Sequence, residues 1–314
     1  MQGAIKKLPN TAFAQLMALI HNRKEKINIS SEPSRGVVSI DGIDFHFIRE
    51  GSGMPILILG SATYYSRAFS QNLREYFELI FVDLRQFIPS YNPDKEELEE
   101  ITLETFADDV ESIRLSLDLK KIALVGHSMN AQIAIQYATK YPQHTSHLIL
   151  VCGVPYTFSE FSEETENFWK RNASEKRKAL FAQNLEPLEA SLASEPPTRS
   201  FAVMFLANGP KVWREPSYDA QWLVEGIENS LIFNHIASIF PGRAEVRESL
   251  ENLKMPVLVI HGRHDYAIPY PIWEDMLSGL DHITYHLLDE SSHNPQIEHP
   301  ILFDSLLVSW LSKH

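Results

Sequence analysis

The chain has 314 residues and a formal net charge of −13, with 28 Lys and Arg against 41 Asp and Glu. Its basic patches, Lys170–Arg171 and Lys176–Arg177–Lys178, are too short for a nucleic-acid or anionic-membrane surface, which needs clustered cations. No apolar run reaches the roughly 18 residues of a membrane span, and the single cysteine, Cys152, permits no intrachain disulfide or cysteine metal site and fits a cytoplasmic location.

In chain order, residues 11–22 carry a helical pattern with an apolar face. The apolar part is short and no small-residue cleavage site comes after it, so it reads as a helix rather than a signal peptide. That face is available to brace a cap over the core or to form a homodimer. A polar linker leads to "VVSIDGIDFHFIRE" (37–50), whose alternation around Asp41-Gly42 is a hairpin signal. Continuous apolar runs come next, at 55–60, 78–84, 121–126, 147–153 and 256–262. Such runs suit strands buried on both faces of a parallel sheet. Helical patterns lie between them, at Leu103 to Leu117, Met129 to Thr139, Tyr270 to Leu280 and Pro300 to Leu311. The alternation predicts an α/β sandwich with a mostly parallel sheet.

From Pro155 to about Glu245 the alternation stops, and aromatic and charged helical patterns take over. The organisation expected is an N-terminal helix and linker (1–35), an α/β core (36–154 and 246–314) and an inserted helical cap (155–245). Gly60, Gly126, Gly153 and Gly262 each end a strand run. The carboxyl ends of strands are where ligands bind in open α/β sheets.

The segment "LVGHSMNAQIAI" (124–135) sets Ser128 between a predicted strand and a predicted helix. Such a turn lifts a serine hydroxyl out of the sheet, at the positive end of the helix. A serine hydroxyl is a weak nucleophile and needs a base, which needs an orienting acid. The bland alternative is a helix-capping serine. Asn130 stands where the G-x-S-x-G pattern has its second glycine, which predicts a small shift of the helix. Asp265 lies just past one predicted strand and His293 just past another, giving the order Ser…Asp…His. Asp289 is a rival acid, close to His293 in sequence; but the acid must meet the ring nitrogen facing away from the serine, which favours Asp265. His127 is expected to line the site, whereas His261, His264, His282 and His286 read as structural or exposed. The oxyanion would be met by the backbone N–H groups of Met129 and Ser61.

The elbow, "GRHDYAIP" and "HNPQIEHP" (matching H-x-P-x-x-E-x-P) resemble the α/β-hydrolase superfamily from about Val37 onward. Within it, "FVDLR" and "GIENSLIF" resemble the proline iminopeptidase-like branch. That resemblance implies Glu228, or less directly Glu225, as a clamp for a substrate's free amino group. Three places depart from the branch: "LGSATYY" replaces H-G-G-P-G, "GHSMN" replaces G-G-S-W-G, and Gln86 replaces the glycine after D-x-R. Ser128 sets the chain apart from branches with an aspartate nucleophile. The implied activity is hydrolysis of a small ester, amide or lactone, or of a short peptide, through an acyl-serine. The alternative from a different class is a ligand-binding receptor or signalling protein on the same fold with little turnover. No metal or organic cofactor is implied, because the histidines show no compact ligand spacing.

Overall fold

Eight strands form one sheet in the computed structural model, which describes residues 33–314. The helix read at 11–22 lies outside the described residues. The strands are β1 (Ser34–Ile40), β2 (Ile43–Gly51), β3 (Met54–Gly60), β4 (Phe77–Asp83), β5 (Ile122–His127), β6 (Thr145–Val151), β7 (Val257–Gly262) and β8 (Ile283–Leu288). They lie in the order β1-β2-β4-β3-β5-β6-β7-β8; only β2 runs against its neighbours, and β4, β3, β5, β6, β7 and β8 pair in parallel. The turn between β1 and β2 is Asp41-Gly42, with φ of 51° and 81°. Positive φ at both central residues gives a turn whose twist matches the flanking strands.

Successive residues of the central strands face opposite layers. Leu57, Leu59, Leu124, Leu148, Leu150 and Val259 enter one core, together with the helices Leu103–Ser116 and Asn130–Lys140. Ile56, Ile58, Val125, Ile149, Val151 and Ile260 enter the other, against the helices Ala62–Ala68 and Pro300–Leu311. A strand buried on both sides has no position that favours a polar residue.

Between β6 and β7 the described residues hold helices and no strand. The longer ones are Phe158–Asn172, Glu175–Leu185 and Ser200–Ala207. The last helix before β7, Arg243–Asn252, sends Val246 and Leu250 back into the core beneath the sheet. Within this insertion, residues 210–214 cross above the carboxyl ends of the strands. The Arg177 guanidinium, 5% exposed, donates to the carbonyls of Pro210 (2.6 Å), Trp213 (2.8 Å) and Arg214 (2.6 Å). It also lies over the ring of Tyr266, 5.0 Å from the centroid. The same segment accepts Tyr266 N–H at Lys211 O (3.0 Å) and His293 N–H at Val212 O (3.2 Å). It is thus fastened both by Arg177 and by the two loops after β7 and β8.

Replacing Arg177 by Met keeps much of the apolar stem but strands three carbonyls. The expected cost is about 3 kcal/mol, read as a lower midpoint in thermal or urea denaturation.

Candidate active site

Ser128 sits at the junction of β5 and the helix Asn130–Lys140, with φ of 56°. That left-handed angle costs a non-glycine residue roughly 1–3 kcal/mol and persists only where surroundings enforce it. Here they do: Ser128 N–H donates to Val151 O (3.1 Å), and Ser128 O accepts from Ala131 (3.2 Å) and Val154 (3.0 Å). Gly126 lets the helix come close, since a Cβ there would lie 2.7 Å from Ala131 Cα and from Asn130 O. The helix begins without a side-chain cap, so its first N–H groups and their partial positive charge face the site.

Asn130 fills the place of the motif's second glycine without opening the turn. The room comes from across the site. Gly60, at φ 139°, would place a Cβ 2.7 Å from Asn130 Nδ2 and 2.3 Å from Tyr65 Cε2.

His293 and Asp265 come together from separate loops. His293 Nδ1 lies 2.7 Å from Asp265 Oδ2, with both residues buried. The other carboxylate oxygen accepts from the backbone N–H groups of Ala267 (2.9 Å) and Ile268 (2.8 Å). Asp289 is elsewhere, paired with Arg263 at the surface (2.7 Å). His261, read from sequence as structural or exposed, is fully buried. Its Nε2 donates to Ile268 O (2.6 Å) and approaches Asp265 Oδ2 (3.5 Å). With Cys152 it forms the one cluster among the described residues close enough to suggest a cation site. The Asp265 oxygens are already committed to Ala267, Ile268 and His293, so the cluster offers no free carboxylate.

Ser128, Met129, His127 and His293 share a cavity of about 240 Å³ roofed by Phe158, Phe201, Met204, Phe205 and Phe233. Among the described residues no Asp, Glu, Lys or Arg lines it. Most of its polar side chains are also spoken for. Tyr64 Oη donates to Asn294 Oδ1 (3.2 Å), and Asn208 Nδ2 to Met204 O (2.8 Å). His127 lies between Tyr65 Oη (3.1 Å) and His293 O (2.8 Å). Burial, with His293 alongside, pushes the His127 pKa down to about 3, so its ring is neutral.

Ser61 caps the helix Ala62–Ala68, its hydroxyl accepting from Tyr64 N–H (3.3 Å). The next N–H, of Ala62, donates to Asp83 Oδ1 (2.7 Å). Among the described residues neither Ser61 N–H nor Met129 N–H has a protein acceptor. Ser61 itself lines a neighbouring groove that shares Phe87 with the cavity. Glu228 also lines that groove, not the Ser128 cavity, and is exposed, with Thr198 Oγ1 3.4 Å away. Glu225 is exposed too, its carbonyl accepting from Arg67 (2.7 Å). The amino clamp suggested by resemblance therefore has no carboxylate in the cavity.

A parallel sheet crossed by one reversed strand, a serine in a left-handed turn past β5 and a buried acid–histidine pair past β7 and β8 define the architecture of an α/β hydrolase. The chain belongs to the alpha/beta hydrolase fold family, whose sequence pattern matches residues 58–300. It is 31% identical over 283 residues to the AB hydrolase superfamily protein YclE of Bacillus subtilis (strain 168), covering 88% of this chain and 99% of that one. It is 27% identical over 202 residues to a pimeloyl-[acyl-carrier protein] methyl ester esterase of Aliivibrio fischeri, covering 62% of this chain and 71% of that one. The meta-cleavage product hydrolase of Pseudomonas fluorescens shares the fold, with a TM-score of 0.61 at 20% identity over 88% of this chain and 97% of that one.

Asp83, which holds the loop after β3 through Ala62, gives a pH signature. Burial lifts its pKa from 3.8 to about 7, against the lowering effect of the Ala62 N–H. Between those values the native state keeps a proton that the unfolded chain has released. Stability contributed by this group therefore falls as pH rises across the window. Asp83→Asn keeps the acceptor for Ala62 and should flatten that part of a denaturation-versus-pH curve relative to wild type.

Proposed function

We propose that this chain is a serine hydrolase of a small, neutral, apolar ester, amide or lactone, working through an acyl-Ser128. The observation that carries the reading is the shared cavity: Ser128, held in a left-handed turn, opens on the same space as His293, whose far nitrogen is held by Asp265.

On this reading Ser128 Oγ attacks the substrate carbonyl carbon and its proton passes to His293 Nε2. Asp265 keeps the ring oriented and stabilises the imidazolium. The N–H groups of Met129 and Ser61 receive the negative oxygen of the tetrahedral intermediate. Collapse breaks the bond to the leaving group, which takes the proton from His293. Water then attacks the acyl-serine, giving a proton to His293, and collapse releases the acid and returns that proton to Ser128. No metal or organic cofactor enters these steps.

The substrate class is set by the cavity wall. A charged group buried against phenylalanines without a counter-ion would lose several kcal/mol of hydration. The buried part of the substrate is therefore an uncharged acyl or alkyl group of modest size. An aminopeptidase-like activity would need a carboxylate near the substrate's ammonium, and Glu228 lies in the next groove. Amino-acid naphthylamides are accordingly expected to be poor substrates beside p-nitrophenyl esters of short acids.

A fluorophosphonate probe should label Ser128. Ser128→Ala should lose the label and reduce kcat on p-nitrophenyl acetate by at least about 1,000-fold. Asp265→Asn should cost about 1,000-fold or more, while Asp289→Asn stays within about twofold, as a surface change does. A Ser128→Ala protein that kept the wild-type rate would overturn the reading.

A further inference from the structure

Two of the positions where the sequence departs from the motifs it resembles, Gln86 after D-x-R and Asn130 in the G-x-S-x-G elbow, are in contact. Gln86 Nε2 donates to Asn130 Oδ1 at 2.9 Å, although 44 residues separate them. Asn130 Nδ2 then donates to Tyr65 Oη (3.1 Å). Tyr65 Oη lies 3.1 Å from His127 Nδ1, and His127 Nε2 lies 2.8 Å from the carbonyl oxygen of His293.

The direction of every bond in this series is determined. A carbonyl oxygen only accepts, so His127 Nε2 carries the hydrogen. The ring is neutral, so Nδ1 is a lone pair and accepts from the Tyr65 hydroxyl. The tyrosine oxygen is thereby free to accept from the Asn130 amide, and the Asn130 oxygen from Gln86. Turning the Asn130 amide over would set two acceptors or two donors face to face. All five residues are buried, at 0% to 6% exposure. Hydrogen bonds aligned head to tail in a buried, low-dielectric setting reinforce one another.

We propose that Gln86, Asn130, Tyr65 and His127 form a positioning relay that holds the backbone of His293 and the two oxyanion-binding N–H groups as one rigid unit. The proposal rests on the serine-hydrolase reading above. None of the four acts on substrate chemically; each acts through its neighbours. At one end the relay grips the main chain of the base itself. In the middle, Asn130 is next in sequence to Met129, and Tyr65 N–H donates to Ser61 O (3.0 Å). At the other end Gln86 O accepts from Ser230 N–H of the cap (2.9 Å). The cap is thus connected to the base by hydrogen bonds throughout. Gly60 is what admits the relay, since any side chain there would collide with both Tyr65 and Asn130.

Tyr65→Phe is the sharp test, because it removes one oxygen and keeps the ring. Expected are a kcat on p-nitrophenyl acetate lower by about tenfold or more, a KM within about twofold, and an equal slowing of fluorophosphonate labelling. Gln86→Gly and Asn130→Gly should each lower kcat, and the double variant should lose less than the product of the two, since the pair is coupled. In wild type the ¹⁵N spectrum of His127 should show a neutral ring protonated at Nε2 near neutral pH. That measurement needs no turnover, so it separates failure of the relay from failure of the hydrolase reading, which Ser128→Ala tests. A Tyr65→Phe enzyme with wild-type kcat and labelling rate, strictly additive glycine variants, or a His127 protonated at Nδ1 would each overturn the proposal.

Discussion

The site depends on a backbone angle that serine resists. Ser128 stands at φ 56° because β5 runs straight into a helix with no room for a wider turn. The tightness is made by Gly126, where helix and strand nearly touch. The unfavourable angle is held by hydrogen bonds to the neighbouring strand end, at Val151 and Val154. Everything else is arranged around the point so fixed: the free helix N–H groups, the loop after β3 and the histidine loop after β8.

Rigidity around that point is distributed across the fold. Asp265 is locked by two backbone donors before it meets His293. The loop after β3 is tied to β4 through Ala62 and Asp83. The insertion between β6 and β7 is bonded to the loops after β7 and β8 by residues 211–212. The cavity wall is aromatic and the polar groups in it are mostly paired with one another. On the serine-hydrolase reading, such a site would select its substrate by shape and by the exclusion of charge rather than by many specific hydrogen bonds.

The sheet was legible in the sequence because its central strands are buried on both faces, which writes them as unbroken apolar runs. β8 was visible only through the histidine-bearing loop at its end. Its middle residues are half-exposed and it includes Tyr285 and His286, so no such run forms. The helix Ala62–Ala68 has no strong sequence signal: "SATYYSRA" is short and mixed, and only the Ser61 cap and the burial of Tyr64 and Tyr65 mark it. Of the two candidate acids, Asp265 is the one beside His293; sequence nearness favoured Asp289, which spends its charge on Arg263. Glu228 rested on a short likeness in the insertion, where local similarity says little about which groove a side chain enters. The Gln86–Asn130 pair could not be read from one chain, because each looked like an isolated loss of glycine.

Arg177 carries an implication for access. Its guanidinium is buried against three carbonyls and a tyrosine face, with the carboxylates of Glu215 and Glu298 acting on it only from beyond ion-pair distance. Swinging residues 210–214 outward would leave that cation with its carbonyl cradle dismantled. The segment is therefore a fixed lintel rather than a door. The phenylalanines that line the cavity are bound by no such polar cradle, and their side chains can turn without breaking a hydrogen bond.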